Sequence, residues 1–205
     1  MRRVTARVAV LASGGGTNLQ ALLDHPDVGP SVVLALSDRS DARALERARD
    51  RSVEAVHVDP AAFADRVAYD RAVLRNLRER DVGIVALAGF MRILGPELVA
   101  AFRGRILNVH PALLPAFPGA RAVADALDWG VKVTGVTVHL VDEEVDHGPV
   151  VFQEAIEVLP DDDWDALEAR VHEVEHRLLP AAVKALAEGR LVVEGRIVRM
   201  LQGAG

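Results

Sequence analysis

Short runs of aliphatic and β-branched residues alternate along this chain with longer segments whose apolar positions recur every three or four residues. Val8-Ala9-Val10-Leu11 predicts a buried strand, and Thr17 to Leu23 beyond Gly14-Gly15-Gly16 has helical spacing. Strands are predicted again at Ser31 to Leu36, Val53 to Val58, Val82 to Leu87 and Arg105 to Val109. Between them, Asp41 to Arg51 and Asp65 to Arg80 read as helices. The pattern changes after Pro118. A helix over Ala120 to Trp129 precedes two longer strands, Lys132–Val141 and Pro149–Val158. Asp162 to Ala187 is a long helix with Asp161-Asp162-Asp163 as capping candidates. Leu191 to Val193 and Arg196 to Met200, split by Glu194-Gly195, predict a terminal hairpin.

Strand–helix alternation of this kind predicts an α/β fold, one doubly wound and mostly parallel sheet, Rossmann-like, ending in the long helix and the hairpin. No linker or low-complexity block divides residues 1–205, so a single domain is expected. Ligands of such sheets sit beyond the carboxyl ends of the strands, and the motifs that carry chemistry here follow strands.

Composition narrows the function. The 205 residues are 50% hydrophobic and 26% charged, enough for one large core. With no cysteine, disulfides, thiol catalysis and Cys-ligated metals are excluded, in keeping with a reducing compartment. Net charge is −6 with Arg and Asp/Glu interspersed, so no nucleic-acid partner is expected. The apolar run after the basic N-terminus, Val8 to Ala12, is too short for a signal core or membrane span, which predicts a cytoplasmic protein.

Ser13-Gly14-Gly15-Gly16-Thr17-Asn18 joins the first strand to the first helix. Glycines allow close backbone approach, and a helix N-terminus offers free amides and partial positive charge, which suits a phosphate. G-x-G-x-x-G spacing and a Walker lysine are both missing, so a monophosphate held by backbone donors is the expected anion; a tight turn without a ligand is the alternative.

In Leu107-Asn108-Val109-His110-Pro111, residues two apart on a strand share a face. Asn108 and His110 therefore project together, an amide donor beside a titratable imidazole, and Pro111 ends the strand. Asn-x-His-Pro, then Leu113-Leu114-Pro115 and Pro118-Gly119, resembles the signature of the folate-dependent formyltransferases. The resemblance runs through Ser13–Gln20, Leu87–Leu94, Gly135–His139, Asp146–Pro149 and Glu175-His176. It is strongest to the branch that formylates glycinamide ribonucleotide. Other formyl acceptors, such as methionyl-tRNA or a sugar nucleotide, are disfavoured by the glycine loop and the short chain.

That resemblance implies transfer of formyl from 10-formyltetrahydrofolate, the co-substrate, to the amine of glycinamide ribonucleotide in purine biosynthesis. It implies catalysis by Asn108 and His110, donating to the oxyanion, and by Asp146, with the Asp146 carboxylate favouring an imidazolium at His110. It places Gly16, Thr17, Asn18, His172 and Glu175 at the ribonucleotide. Arg66, Met91, Arg92, Ile93 and Leu94, with Asn108 and the acidic loop Asp142, Glu143, Glu144, Val145 and Asp146, would hold the folate. Roughly residues 1–103 would form the nucleotide-phosphate half and 104–205 the folate and catalytic half. Small-molecule substrates, no metal, no membrane and a monomer or homodimer follow.

By composition alone the acidic loop is a solvated turn, and the face carrying His172 and Glu175 is solvated too. His139 is expected behind the reacting groups or in packing, His25 and His57 as ordinary structure, and His147 exposed with a possible effect on Asp146. Ala120-Arg121-Ala122-Val123 departs from the histidines common in relatives. A non-catalytic nucleotide-binding module is the competing class, and it would not need an oxyanion site.

Overall fold

A computed structural model describes residues 6–201; the basic stretch at 1–5 lies outside the described residues. Seven strands form one sheet in the order β3-β2-β1-β4-β5-β6-β7. These are β1 (Val8–Leu11), β2 (Val32–Ser37), β3 (Glu54–His57), β4 (Ile84–Leu87), β5 (Ile106–His110), β6 (Val133–Leu140) and β7 (Val150–Glu157). The first five are parallel, and β6 runs opposite to them, pairing antiparallel with both β5 and β7. After β3 the chain returns to the other side of β1, and that reversal opens a crevice between β1 and β4.

Alternation along the buried strands divides the core. Val8 and Val10 of β1, with Leu107 and Val109 of β5, pack under α1 (Thr17–Asp24), α2 (Arg43–Asp50) and α6 (Trp164–Ala187). Ala9 and Leu11, with Ile106, face α3 (Arg66–Arg78) and α4 (Pro96–Ala101). Asn108 and His110 share the parity of Ile106, so they continue that second face beyond its apolar cover.

Local signals set the helix ends. Asp65 accepts the Ala68 amide at 2.8 Å to cap α3, and of the three candidate aspartates before α6 it is Asp163 that caps, accepting from Ala166 at 2.8 Å. The six-residue α4 carries no usable periodicity and was not predicted, although Gly95-Pro96 is a helix-start signal. Helix α5 (Ala122–Trp129) and the hairpin of β8 (Leu191–Glu194) and β9 (Ile197–Met200) match the sequence expectation. Among the described residues no helix is long and apolar enough to cross a membrane.

Candidate active site

The shared face of β5 meets a loop that folds back from β6. Asn108 Nδ2 donates to Asp146 Oδ1 at 3.2 Å, and His110 Nδ1 lies 3.4 Å from Asp146 Oδ2. The Gly119 amide donates to the same Oδ2 at 2.8 Å, tying the segment after Pro118 to the loop. Asp146 takes φ +51, a left-handed conformation that aspartate tolerates better than most residues. Thus the three residues expected to do chemistry, up to 38 positions apart, form one cluster.

His139, opposite Asn108 across β5 and β6, is part of it. Its Nδ1 faces the Leu140 carbonyl at 2.9 Å and its Nε2 faces Asn108 Nδ2 at 3.1 Å. A proton on Nδ1 satisfies both contacts, leaving Nε2 to accept from Asn108. The sequence placed it behind the reacting groups or in packing without naming its partner, because the pairing register that brings His139 to Asn108 is not visible in one strand.

Burial alters the electrostatics expected of His110. The ring is 4% exposed. Desolvation holds its pKa below the ordinary imidazole value, outweighing the Asp146 charge and the Phe117 carbonyl, which both favour the cation. Asp146 favours the cation as expected, but burial works against it, so the net shift is downward. With Nε2 2.8 Å from the Phe117 carbonyl, that ring carries its proton on Nε2 and turns Nδ1 toward Asp146. Burial also opposes ionisation of Asp146. The neighbouring His139, the Gly119 amide and His110 together prevail, holding the carboxyl below its usual range.

At the glycine turn, only Gly16 has positive φ, +70, and a Cβ there would sit 2.6 Å from Ala44 Cα. Its requirement is packing against α2. Gly14 and Gly15 have open space where a Cβ would be, so this stretch of backbone is accessible to a ligand. No side chain caps α1 after Gly16, and Thr17 and Asn18 of its first turn line the same opening. Arg47 of α2 braces the turn, donating to the Gly15 carbonyl at 2.9 Å.

Asn18 donates to Glu175 Oε2 at 2.7 Å, joining α1 to α6. Glu175 is 5% exposed, which corrects the solvated face expected from periodicity: α1 covers it. Burial raises its pKa against the opposing effects of Asn18 and His172. His172 lies 3.9 Å from Glu175 and stacks on His176, with ring centroids 5.8 Å apart.

Ser13 links the two ends of the site. Its hydroxyl donates to Asp38 at 2.6 Å and accepts the Met91 amide at 2.9 Å. Met91 and Ile93 stay exposed at 64% and 58%, forming an apolar rim, while Arg92 lies over the Tyr69 ring at 4.8 Å. In the acidic loop, Asp142 accepts the Glu144 amide, Glu143 pairs with Arg103 at 3.3 Å, and Val145 is half-exposed.

One cleft of about 770 Å³ joins these parts. Every predicted site residue lines it except Arg66, which shares a shallow adjoining depression with Met91, Arg92 and Ile93 and pairs with Asp70 at 3.5 Å. Trp164 and Glu168 also line the cleft, respectively two turns and one turn ahead of His172 on α6. That helical spacing was readable in the sequence but had no motif to single it out. Among the described residues no group of His, Asp and Glu is arranged to hold a metal.

Residues 6–183 match the family model described as formyl transferase. The chain belongs to the formyl transferase family. This formyltransferase is 48% identical over 197 residues to the phosphoribosylglycinamide formyltransferase of Mycobacterium tuberculosis, covering 95% of this chain and 91% of that one. It is 41% identical to the trifunctional purine biosynthetic protein adenosine-3 of Drosophila melanogaster, over 93% of this chain and 14% of that larger one. The crystal structure of glycinamide ribonucleotide transformylase 1 from Symbiobacterium toebii superposes with a TM-score of 0.94 at 48% identity, covering 98% of this chain and 96% of that one. The fold read from the sequence is therefore the formyltransferase fold.

Proposed function

We propose that this chain transfers the formyl group of 10-formyltetrahydrofolate to the amine of glycinamide ribonucleotide, in the cytoplasm, as a step of purine biosynthesis. Both substrates are small molecules, and the enzyme acts as a monomer or homodimer. The observation that carries this reading is the convergence of Asn108, His110 and Asp146 on a cleft that also reaches the open glycine turn.

Substrate placement follows the family resemblance, and the lining of the cleft supports it. The phosphate sits on the backbone at Gly16, Thr17 and Asn18, with Glu175 and His172 toward the ribose and glycinamide. The flat folate ring rests against the apolar rim of Met91 and Ile93, bounded by the loop from Asp142 to Asp146, with Arg66 and Arg92 at its acidic end.

The amine nitrogen attacks the formyl carbon, a C–N bond forms, and the carbonyl electrons move to oxygen. Asn108 donates to that oxyanion. The cationic amine gives a proton to the His110–Asp146 pair, where Nδ1 can hold it against the carboxylate. The resulting imidazolium faces the oxyanion, then returns the proton to the folate nitrogen as the old C–N bond breaks. A positioned oxyanion donor is worth about 10²–10³ in rate and the acid–base pair about 10²–10⁴.

The decisive experiment supplies both substrates and follows formylated ribonucleotide. Product formation, with each ligand raising the melting temperature, supports the reading. Stabilisation by the nucleotide alone, without folate binding or product, would leave a nucleotide-binding module instead.

A further inference from the structure

The C-terminal hairpin reaches the loop that carries Asp146, and it does so through one arginine. The family match ends at residue 183, before β8 begins at Leu191. The hairpin packs on β7 and turns at Gly195-Arg196, with Gly195 at φ +61. From the tip, Arg196 Nη2 donates to the His147 carbonyl at 2.6 Å, and Nη1 lies 3.0 Å from His147 Nε2. On the ring's other side, His147 Nδ1 is 2.8 Å from Asp142 Oδ2. Nη1 is also 3.4 Å from Nδ1, so the guanidinium lies against the ring while Asp142 holds its Nδ1 edge. Glu144, with a carboxylate oxygen 3.9 Å from Nδ1, is the other charged group at the ring.

Consecutive residues of this loop are therefore held from opposite sides. The Asp146 carboxylate is fixed inward by Asn108 and Gly119; the His147 ring and carbonyl are fixed outward by Asp142 and Arg196. Between the two anchors sits the left-handed φ of Asp146, +51. The chain has little slack beyond it, since a Cβ on Gly148 would collide with the Leu140 carbonyl.

We propose that Arg196 is a positioning residue for the reaction: by gripping His147 it holds the acidic loop over the cleft and sets where the Asp146 carboxylate stands. This rests on the reading of that loop as the folate wall and of Asp146 as part of the proton-transfer pair. Arg196 touches no reacting atom. It acts through the peptide that follows Asp146.

Two variants of the full chain test it. In Arg196→Ala, amide exchange across residues 142–148 accelerates about tenfold, the scale of one charge-assisted hydrogen bond. The KM for formyl-folate rises about fivefold and kcat falls, while the KM for the ribonucleotide stays within about twofold and the melting temperature within about 2 °C. Arg196→Lys keeps a donor for the His147 carbonyl and recovers part of both effects. Unchanged exchange in Arg196→Ala overturns the proposal. So does an equal rise in both KM values with a lowered melting temperature, which would make the hairpin mere support. If the unaltered protein formed no formylated product, the functional reading would fail, yet the exchange rates would still decide whether Arg196 holds the loop.

Discussion

Asn108 Nδ2 lies almost equally far from His139 Nε2, 3.1 Å, and from Asp146 Oδ1, 3.2 Å. These acceptors are only 3.7 Å apart, so from the amide nitrogen they subtend an angle far narrower than the spread between its two hydrogens. Each can take one of the two amide hydrogens with a modest bend, so donation to the developing oxyanion requires one of these bonds to be given up. His139 and Asp146 thus aim the Asn108 amide from two sides.

Replacing Asn108 with Ala should lower turnover by about 10²–10³ and alter ligand affinity little. Single-turnover kinetics at saturating ligands separate the two. A loss confined to affinity would remove Asn108 from the oxyanion site.

Asp146→Asn should keep the fold and bind both substrates, yet lose most turnover, by about 10²–10⁴. It should also lower the His110 pKa further, because the carboxylate is among the groups that favour the imidazolium. Nitrogen-15 titration of the ring reads this directly; an upward shift would contradict the arrangement. The sign for stability follows. With its folded pKa below the unfolded value of about 6.5, His110 leaves the unfolded chain holding more protons, so stability falls as pH drops below about 6.5.

Gly16→Ala and Gly15→Ala should part company. At Gly16 the new Cβ meets Ala44 at positive φ, and the melting temperature should fall. At Gly15 there is open space, so the fold should hold while ribonucleotide affinity drops. Ligand titration beside thermal melts distinguishes them, and full affinity in Gly15→Ala would refute the phosphate turn.

Glu175→Gln should preserve the bond from Asn18 and raise the ribonucleotide KM but not the folate KM. The folded pKa of Glu175 is raised, so its contribution to stability is complete below the unfolded value of about 4.3 and is lost as pH climbs through the folded value. The glutamine variant, neutral throughout, should therefore gain on the parent as pH rises. Melts at acid and neutral pH check this; parallel curves would show no buried charge.

Much of the fold was legible because two periodicities, two for strands and near four for helices, are written into local composition. The turn at Gly14 to Asn18 and the pairing of Asn108 with His110 are local as well, needing only a strand's alternation. What escaped was six-residue α4, too short to show a period, and the burial of Glu175, which depends on α1 lying against α6.

The sequence by itself determined the order of elements, the strand-end motifs and the residues able to bind phosphate or donate to an oxyanion. Tertiary structure alone decided that Asp146 stands against Asn108 and His110, that His139 orients the amide, and that burial lowers the His110 pKa. Those outcomes turn on distances between remote segments and on exclusion of water, and desolvation is a property of the packed whole rather than of any stretch of chain.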